Sequence, residues 1–453
     1  MTRLLALLAV VGLAACTSST PDDPPNGSIR FVHAAPSLGP TEFLIVELSR
    51  GSPPNYTGAT DTFSIDSGPF TINVEVADPN ASPGVIRVLS EQRSVIADSE
   101  LLLVLFDDGP SLAFSEYQLP LDVVPDGSSE LVLLHAAQGA APIDLYVELD
   151  GADLAAATPR NSLGFKEIGT PFTVTTGEYR LTATAPGDPT TIVYQSPLFA
   201  IPNATSSVLA VFASAGTARA PLRASLLDRQ TAAPSALNDA SAPAALRSIN
   251  GAVGIGAIDV FAAADFSAPV HSAVQPREIR DYVDVPAGNT QLQVTPAGNV
   301  GVIEIDITPN LVAGNLQTQV VVGSPGDATS ALYLEDNRGN FSRVRFRFRS
   351  AASNFPLIDV YITDPGVDFA DVTPAAVGLP VGGFEFASTA LVGDYEITLV
   401  ENDGDPETDD TTVIAGPIPV TWENGRVYEV LIFDSDTAGQ VDVQIADVTA
   451  PLP

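Results

Sequence analysis

The chain has 453 residues, 45% of them hydrophobic, and carries 55 Asp and Glu against 20 Lys and Arg, a formal charge of −35. That apolar content is too high for a disordered chain. So acidic a balance excludes nucleic acid as a partner, because phosphate contacts need a basic surface, and it disfavours anionic lipid headgroups.

At the N-terminus, Arg3 precedes a twelve-residue apolar run, residues 4–15. The run is too short to span a bilayer core of roughly 30 Å but has the length of a signal-peptide core. It ends in Leu13-Ala14-Ala15-Cys16, which resembles the lipobox of bacterial lipoproteins. The resemblance implies cleavage after residue 15, a lipid on the Cys16 thiol, and anchorage in the outer membrane, since Thr17 rather than Asp follows. Cys16 is the sole cysteine, so the exported chain holds together without disulfides. Residues 16–27 read as the lipidated cysteine and a polar tether.

Four copies of one unit follow. Their openings are VHAAPSLGPTEFLIV (32–46), LHAAQGAAPIDLYV (134–147), INGAVGIGAIDVFA (249–262) and RSAASNFPLIDVYI (349–362). The first marked position is His33, His135, Asn250 and Ser350; nine residues on stand Glu42, Asp144, Asp259 and Asp359. Each copy then shows a glycine (Gly68, Gly177, Gly288, Gly393) followed by apolar–polar alternation, the mark of a half-buried strand. Near-continuous apolar runs come next, such as ELLLVLF (100–106) and SVLAVF (207–212), and read as central strands. Short strands with Gly, Pro, Asn and Asp between them predict an all-β chain of four tandem antiparallel immunoglobulin-like sandwiches. The expected bounds are 28–124, 125–227, 246–340 and 341–453. The Ala/Ser/Pro-rich residues 228–245 read as a linker and hinge.

The VHAAP opening, the acidic residue before an apolar or aromatic step, and the Gly-x-Tyr strand start together resemble the bacterial family called domain of unknown function 4397. Copies one and two carry the resemblance best, through His33 with Pro36 and His135 with Asp144. It implies a β-sandwich in an exported or surface-anchored protein, and supplies no catalytic residues.

Histidine with an acid nine residues on suggests half of a catalytic or metal site. The histidine, however, grades into Asn250 and Ser350, which share with it only a hydrogen-bonding side chain. The series reads as a strand-end brace, with the acid either accepting that bond or capping nearby amides. His271 stands alone in an expected loop, where it reads as solvated. No motif for zinc, a nucleophile elbow or a phosphate loop occurs.

Two stretches stay open. ENDGDPETDD (401–410) is dense in carboxylates, and Asp403, Asp405, Glu407 and Asp409 are candidate calcium ligands or simply an acidic hairpin tip. In RVRFRFRS (343–350), Arg343, Arg345, Arg347 and Arg349 share one strand face. They form either a core strand with outer arginines paired to neighbouring acids, or a patch for an acidic glycan. The expected function is a lipid-anchored, non-enzymatic envelope protein that binds, adheres or supports structure, with a glycan or an envelope protein as partner. A carbohydrate-associated accessory protein or weak hydrolase and a passive spacer are the alternatives.

Overall fold

The computed structural model describes residues 25–77, 85–108, 111–214, 220–229, 234–262, 266–339, 344–390, 392–404 and 412–450. In the first copy the strands are β1 (Asn26–Ala34), β2 (Thr41–Ile45), β3 (Leu48–Ser49), β4 (Phe63–Asp66), β5 (Gly68–Ala77), β6 (Val85–Val95), β7 (Ser99–Asp108) and β8 (Ser111–Pro120). They form two sheets, ordered β4-β1-β7-β8 and β3-β2-β5-β6. Ile29, Phe31, Leu101 and Leu103 of the first sheet meet Phe43, Ile45, Ile72 and Val74 of the second in one core.

The plan recurs along the chain, and each first strand lies beside the penultimate one. β1 pairs with β7 in parallel register, from Ser28 opposite Glu100 to Ala34 opposite Phe106. The same parallel ladder joins Ser128–Ala136 to Ser206–Ala213, Ala244–Asn250 to Leu316–Val322, and Val344–Ala351 to Val427–Asp434. The all-β sandwich therefore stands, but with one parallel ladder per copy rather than purely antiparallel sheets. The intervening strands serve as the crossover that a parallel pair requires.

The apolar runs are continuous because these sheets are covered on both faces. Alternate residues of β1 and β7, namely Val32, Ala34, Leu102, Val104 and Phe106, face away from their own core. They pack on Val132, Leu134, Ala136, Val208, Ala210 and Phe212 of the second sandwich. The third and fourth sandwiches meet in the same way through Ile249, Val320 and Val322 against Ala351, Leu431 and Phe433. Each large apolar side chain so buried stabilises the fold by roughly 1.5–3 kcal/mol relative to exposure.

The expected hinge at 228–245 is held in place over its described residues. Ser235–Leu237 adds a strand to Leu222–Asp228, and Leu237 is buried. The Tyr194 hydroxyl donates to the Leu237 carbonyl at 2.7 Å, and Asp239 accepts from the Gln195 amide. Ala244 and Ala245 already belong to the third sandwich. One hydrophobic and one capping residue tie down a stretch whose Ala/Ser/Pro composition suggested slack. Across the two pairs, the Arg338 guanidinium lies 4.8 Å over the ring of Tyr56.

Candidate functional site

The signature residues sit at the C-terminal ends of the first strands, where the chain turns into the loop leading to the opposite sheet. His33 Nδ1 accepts from the Ala35 amide (3.3 Å), and Nε2 lies 2.9 Å from the Gly39 carbonyl. His135 repeats this with the Ala137 amide (3.3 Å) and the Ala141 carbonyl (3.1 Å). Asn250 takes the same two partners by position: its Oδ1 accepts from Ala252, and its Nδ2 donates to Gly256 at 2.9 Å. Ser350, shorter, reaches only the Ala352 amide, at 3.4 Å. An acceptor for residue i+2 and a donor for residue i+6 are what the position asks for, and neutral histidine or asparagine supplies both. This geometry assigns the histidines the Nε2–H tautomer. Burial pushes His33 down to about 4, and lowers His135 as well.

The acid is not the partner of the histidine, since the two lie in opposite sheets. Asp144 accepts from the Ser162 hydroxyl and from the Gly187 amide (2.7 Å). Asp259 accepts from the Ala273 and Gly298 amides, and Asp359 from the Gly378 amide and the Asn402 side chain. Each clamps its strand to the neighbours on both sides. Glu42 stands half-buried opposite Glu75 in the β2–β5 ladder.

Sequence reasoning missed the element that the signature backbone holds. The carbonyls of His33, His135, Asn250 and Ser350 accept from the amides of Thr57, Lys166, Arg277 and Gly382, at 2.7–2.9 Å. All four donors are left-handed, with φ between 65° and 73°. Thr57, Lys166, Arg277 and Gly382 share no side-chain property, so no motif marks them. Each of these loops then reaches the neighbouring sandwich. Tyr56 donates its hydroxyl to the Ala213 carbonyl at 2.8 Å and sets its ring edge-on to Phe212. Reciprocally, Phe165 meets Phe106 edge-on with centroids 5.3 Å apart. Tyr117 donates to the Lys166 carbonyl, and Tyr333 likewise to the Gly382 carbonyl. The two pairs are thus built alike, first with second and third with fourth.

The arginine strand is neither an outer face nor an anion patch. Arg347 and Arg349 are 1% and 0% exposed, turned toward the third sandwich. There they join Arg247 around two buried carboxylates, Glu335 and Glu429. Arg347 also donates to Asn337 Oδ1 at 2.6 Å, and Arg349 lies 4.7 Å over the ring of Tyr333. Burial alone would push Glu429 up, but Arg247, Arg349 and Arg347 together pull it down to about 2. Desolvation lowers Arg347 to about 10. Arg345 contacts Asp336 and the Arg338 carbonyl, while Arg343 lies outside the described residues. The charged face of this alternating strand is turned inward because Glu429 on the adjacent strand and Glu335 of the third sandwich meet it there.

His271, expected in a solvated loop, is buried in the strand His271–Val274. Its Nδ1 lies 3.0 Å from the Ser248 hydroxyl and its Nε2 3.1 Å from the Asp281 carbonyl. Of the calcium candidates, Asp403 is described, while Asp405, Glu407 and Asp409 lie outside the described residues, as does Cys16. Among the described residues no group of three or more His, Cys, Asp or Glu converges as a metal site would require.

A cleft of about 370 Å³ opens where the third and fourth sandwiches meet. Asn250, Pro276 and Arg277 form one wall, and Asn354, Phe433 and Asp434 the other. Arg277 bridges the mouth, donating to the Asp434 carbonyl at 3.0 Å and pairing with Asp436 at 2.8 Å. Asp434 is itself fixed by the amides of Ser353 and Asn354.

No curated protein matches the chain. A family model described as Domain of unknown function (DUF4397) matches residues 244–361, from the first strand of the third sandwich into the second strand of the fourth. The match falls on the copy with Asn250 and on the start of the copy with Ser350, rather than on the histidine-bearing first two. Residues 244–361 therefore carry a DUF4397-like domain.

Proposed function

We propose that this chain is an exported, lipid-anchored, non-enzymatic protein of the cell envelope, presenting its sandwiches as a stiff body for binding, adhesion or structural support. The observation that carries this reading is the use made of the repeat signature. Its side chains brace a loop, its backbone carbonyl holds a second loop, and that second loop docks the neighbouring sandwich. The polar groups at which chemistry would be sought are thereby engaged in holding one sandwich against the next. Cys16 behind its apolar run supplies the anchor, and two or more acyl chains would make it stable. The acidic surface keeps such a body soluble and repels like-charged neighbours. The glycan-accessory reading loses its arginine patch, since Arg347 and Arg349 are buried and paired.

The test is metabolic labelling with palmitate, followed by protease treatment of intact cells. Label should enter the wild-type chain and be absent from Cys16→Ser. Digestion of the chain on intact cells points to adhesion or ligand binding at the surface. Survival until the outer membrane is opened points to a periplasmic structural role. Equal labelling of Cys16→Ser would remove the anchor from the proposal.

A further inference from the structure

The two pairs are built alike, and the cleft marks where they differ. In the first pair, the residue before the left-handed Thr57 is Tyr56. Its ring fills the junction, 6.2 Å from His33 and 5.9 Å from Phe212, and its hydroxyl bonds the Ala213 carbonyl. In the second pair the residue before the left-handed Arg277 is Pro276. The counterparts of His33, Phe212 and Ala213 are Asn250, Phe433 and Asp434, as the parallel registers fix. All three line the cleft, and so does Pro276. The opening is thus the place of a tyrosine side chain that the third sandwich lacks.

We propose that this cleft is a binding site for a phenol ring, either a free phenolic compound or a tyrosine side chain offered by a partner protein. Its 370 Å³ lies at the small end of ligand pockets and accommodates one ring rather than a chain of sugars. Pro276, Val253 and Phe433 supply apolar walls. The Asp434 carbonyl has a second lone pair beside the one taken by Arg277, and Asp436 is 96% exposed at the mouth, so a hydroxyl donor is well received. With Asp434 and Asp436 against the single Arg277, the lining carries an excess of negative charge. An aryl carboxylate is therefore disfavoured.

The test is saturation-transfer NMR on the mature chain with p-cresol, N-acetyl-tyrosinamide and 4-methylbenzoate. The expected result is saturable binding of p-cresol with a dissociation constant of about a millimolar, as befits a fragment of this size, and at least tenfold weaker binding of the benzoate. Pro276→Tyr should abolish binding by filling the slot from within, and should raise the thermal midpoint. Asn354→Phe, at an exposed rim position, should block entry without touching the interface. Tyr56→Gly should add a second site, doubling the stoichiometry. Tighter binding of N-acetyl-tyrosinamide than of p-cresol assigns the site to a protein tyrosine; the reverse assigns it to a free phenol. Absence of saturable binding of both phenols, or undiminished binding in folded Pro276→Tyr and Asn354→Phe, overturns the proposal.

Discussion

Gly251 and Ala351 meet at the interface of the third and fourth sandwiches so closely that a Cβ on Gly251 would lie 2.3 Å from that of Ala351. Each directly follows its signature residue, the place that Ala34 and Ala136 hold in the first pair. The second interface has room for one methyl group where the first has two. Gly251→Ala should therefore destabilise the chain by about 1–3 kcal/mol through overpacking. Adding Ala351→Gly in the same chain should recover most of the loss. Urea unfolding of the two variants measures both, and an additive double mutant would show that the contact is not the cause.

The shared geometry of His135 and Asn250 predicts that the two residue types are interchangeable at this position. His135→Asn retains the acceptor for the Ala137 amide and the donor for the Ala141 carbonyl, and should cost under ~1 kcal/mol. His135→Leu leaves the buried Ala137 amide unpaired, at roughly 1–3 kcal/mol, and takes the donor from the Ala141 carbonyl, which lies on an exposed residue. Unfolding midpoints of the two variants against wild type decide it. Equal losses would make the histidine a packing residue and nothing more.

His33 makes stability depend on pH in a stated direction. Burial holds its imidazole at about 4, with Arg338 adding to the effect, while an unfolded histidine titrates near 6.5. Between those values the unfolded chain binds the extra proton, so stability rises with pH. The contribution is complete above pH 6.5 and is lost as pH falls toward 4, to a total of roughly 3 kcal/mol. His33→Asn removes that dependence while keeping the brace. Comparing both chains in urea at pH 5.0 and 7.5 should show a wild-type loss on acidification that exceeds the variant's. Parallel behaviour would mean that the histidine is not held neutral.

Much of this architecture is legible in the order of residues, and what is not has a physical reason. Spacing alone locates His33, His135, Asn250 and Ser350, and their common hydrogen-bonding capacity reveals a brace before any coordinates. The run Leu101–Phe106 lacks alternation because both faces are covered, yet a continuous apolar run says only that a strand is buried, not against what. The docking loops leave no trace, because a left-handed residue is recognisable when it is Gly382 but not when it is Thr57, Lys166 or Arg277. Arg347 and Arg349 misled in the opposite sense. Alternation normally marks a solvent face; Glu429 does stand on the adjacent strand, opposite Arg347, but nothing local reveals that Glu335 of the third sandwich covers the set from across the interface.

Those charges set the last expectation. Three guanidiniums and two carboxylates, all nearly inaccessible, gain little stability over a packed apolar cluster, because desolvation offsets their attraction. Removing one member is another matter. Glu429→Gln leaves Arg247, Arg347 and Arg349 against Glu335 alone and should cost about 3–5 kcal/mol. Arg349→Met with Glu429→Leu withdraws a matched pair and should cost less than Glu429→Gln by itself. The first interface holds ions of its own, since Arg30 is buried and donates to the Leu227 carbonyl while Glu100 pairs with Arg229 of the second sandwich, so the two junctions differ in how many charges they bury and where. Denaturant unfolding of the single and double variants checks the ranking. A double variant less stable than Glu429→Gln would show that the ions themselves hold the interface together.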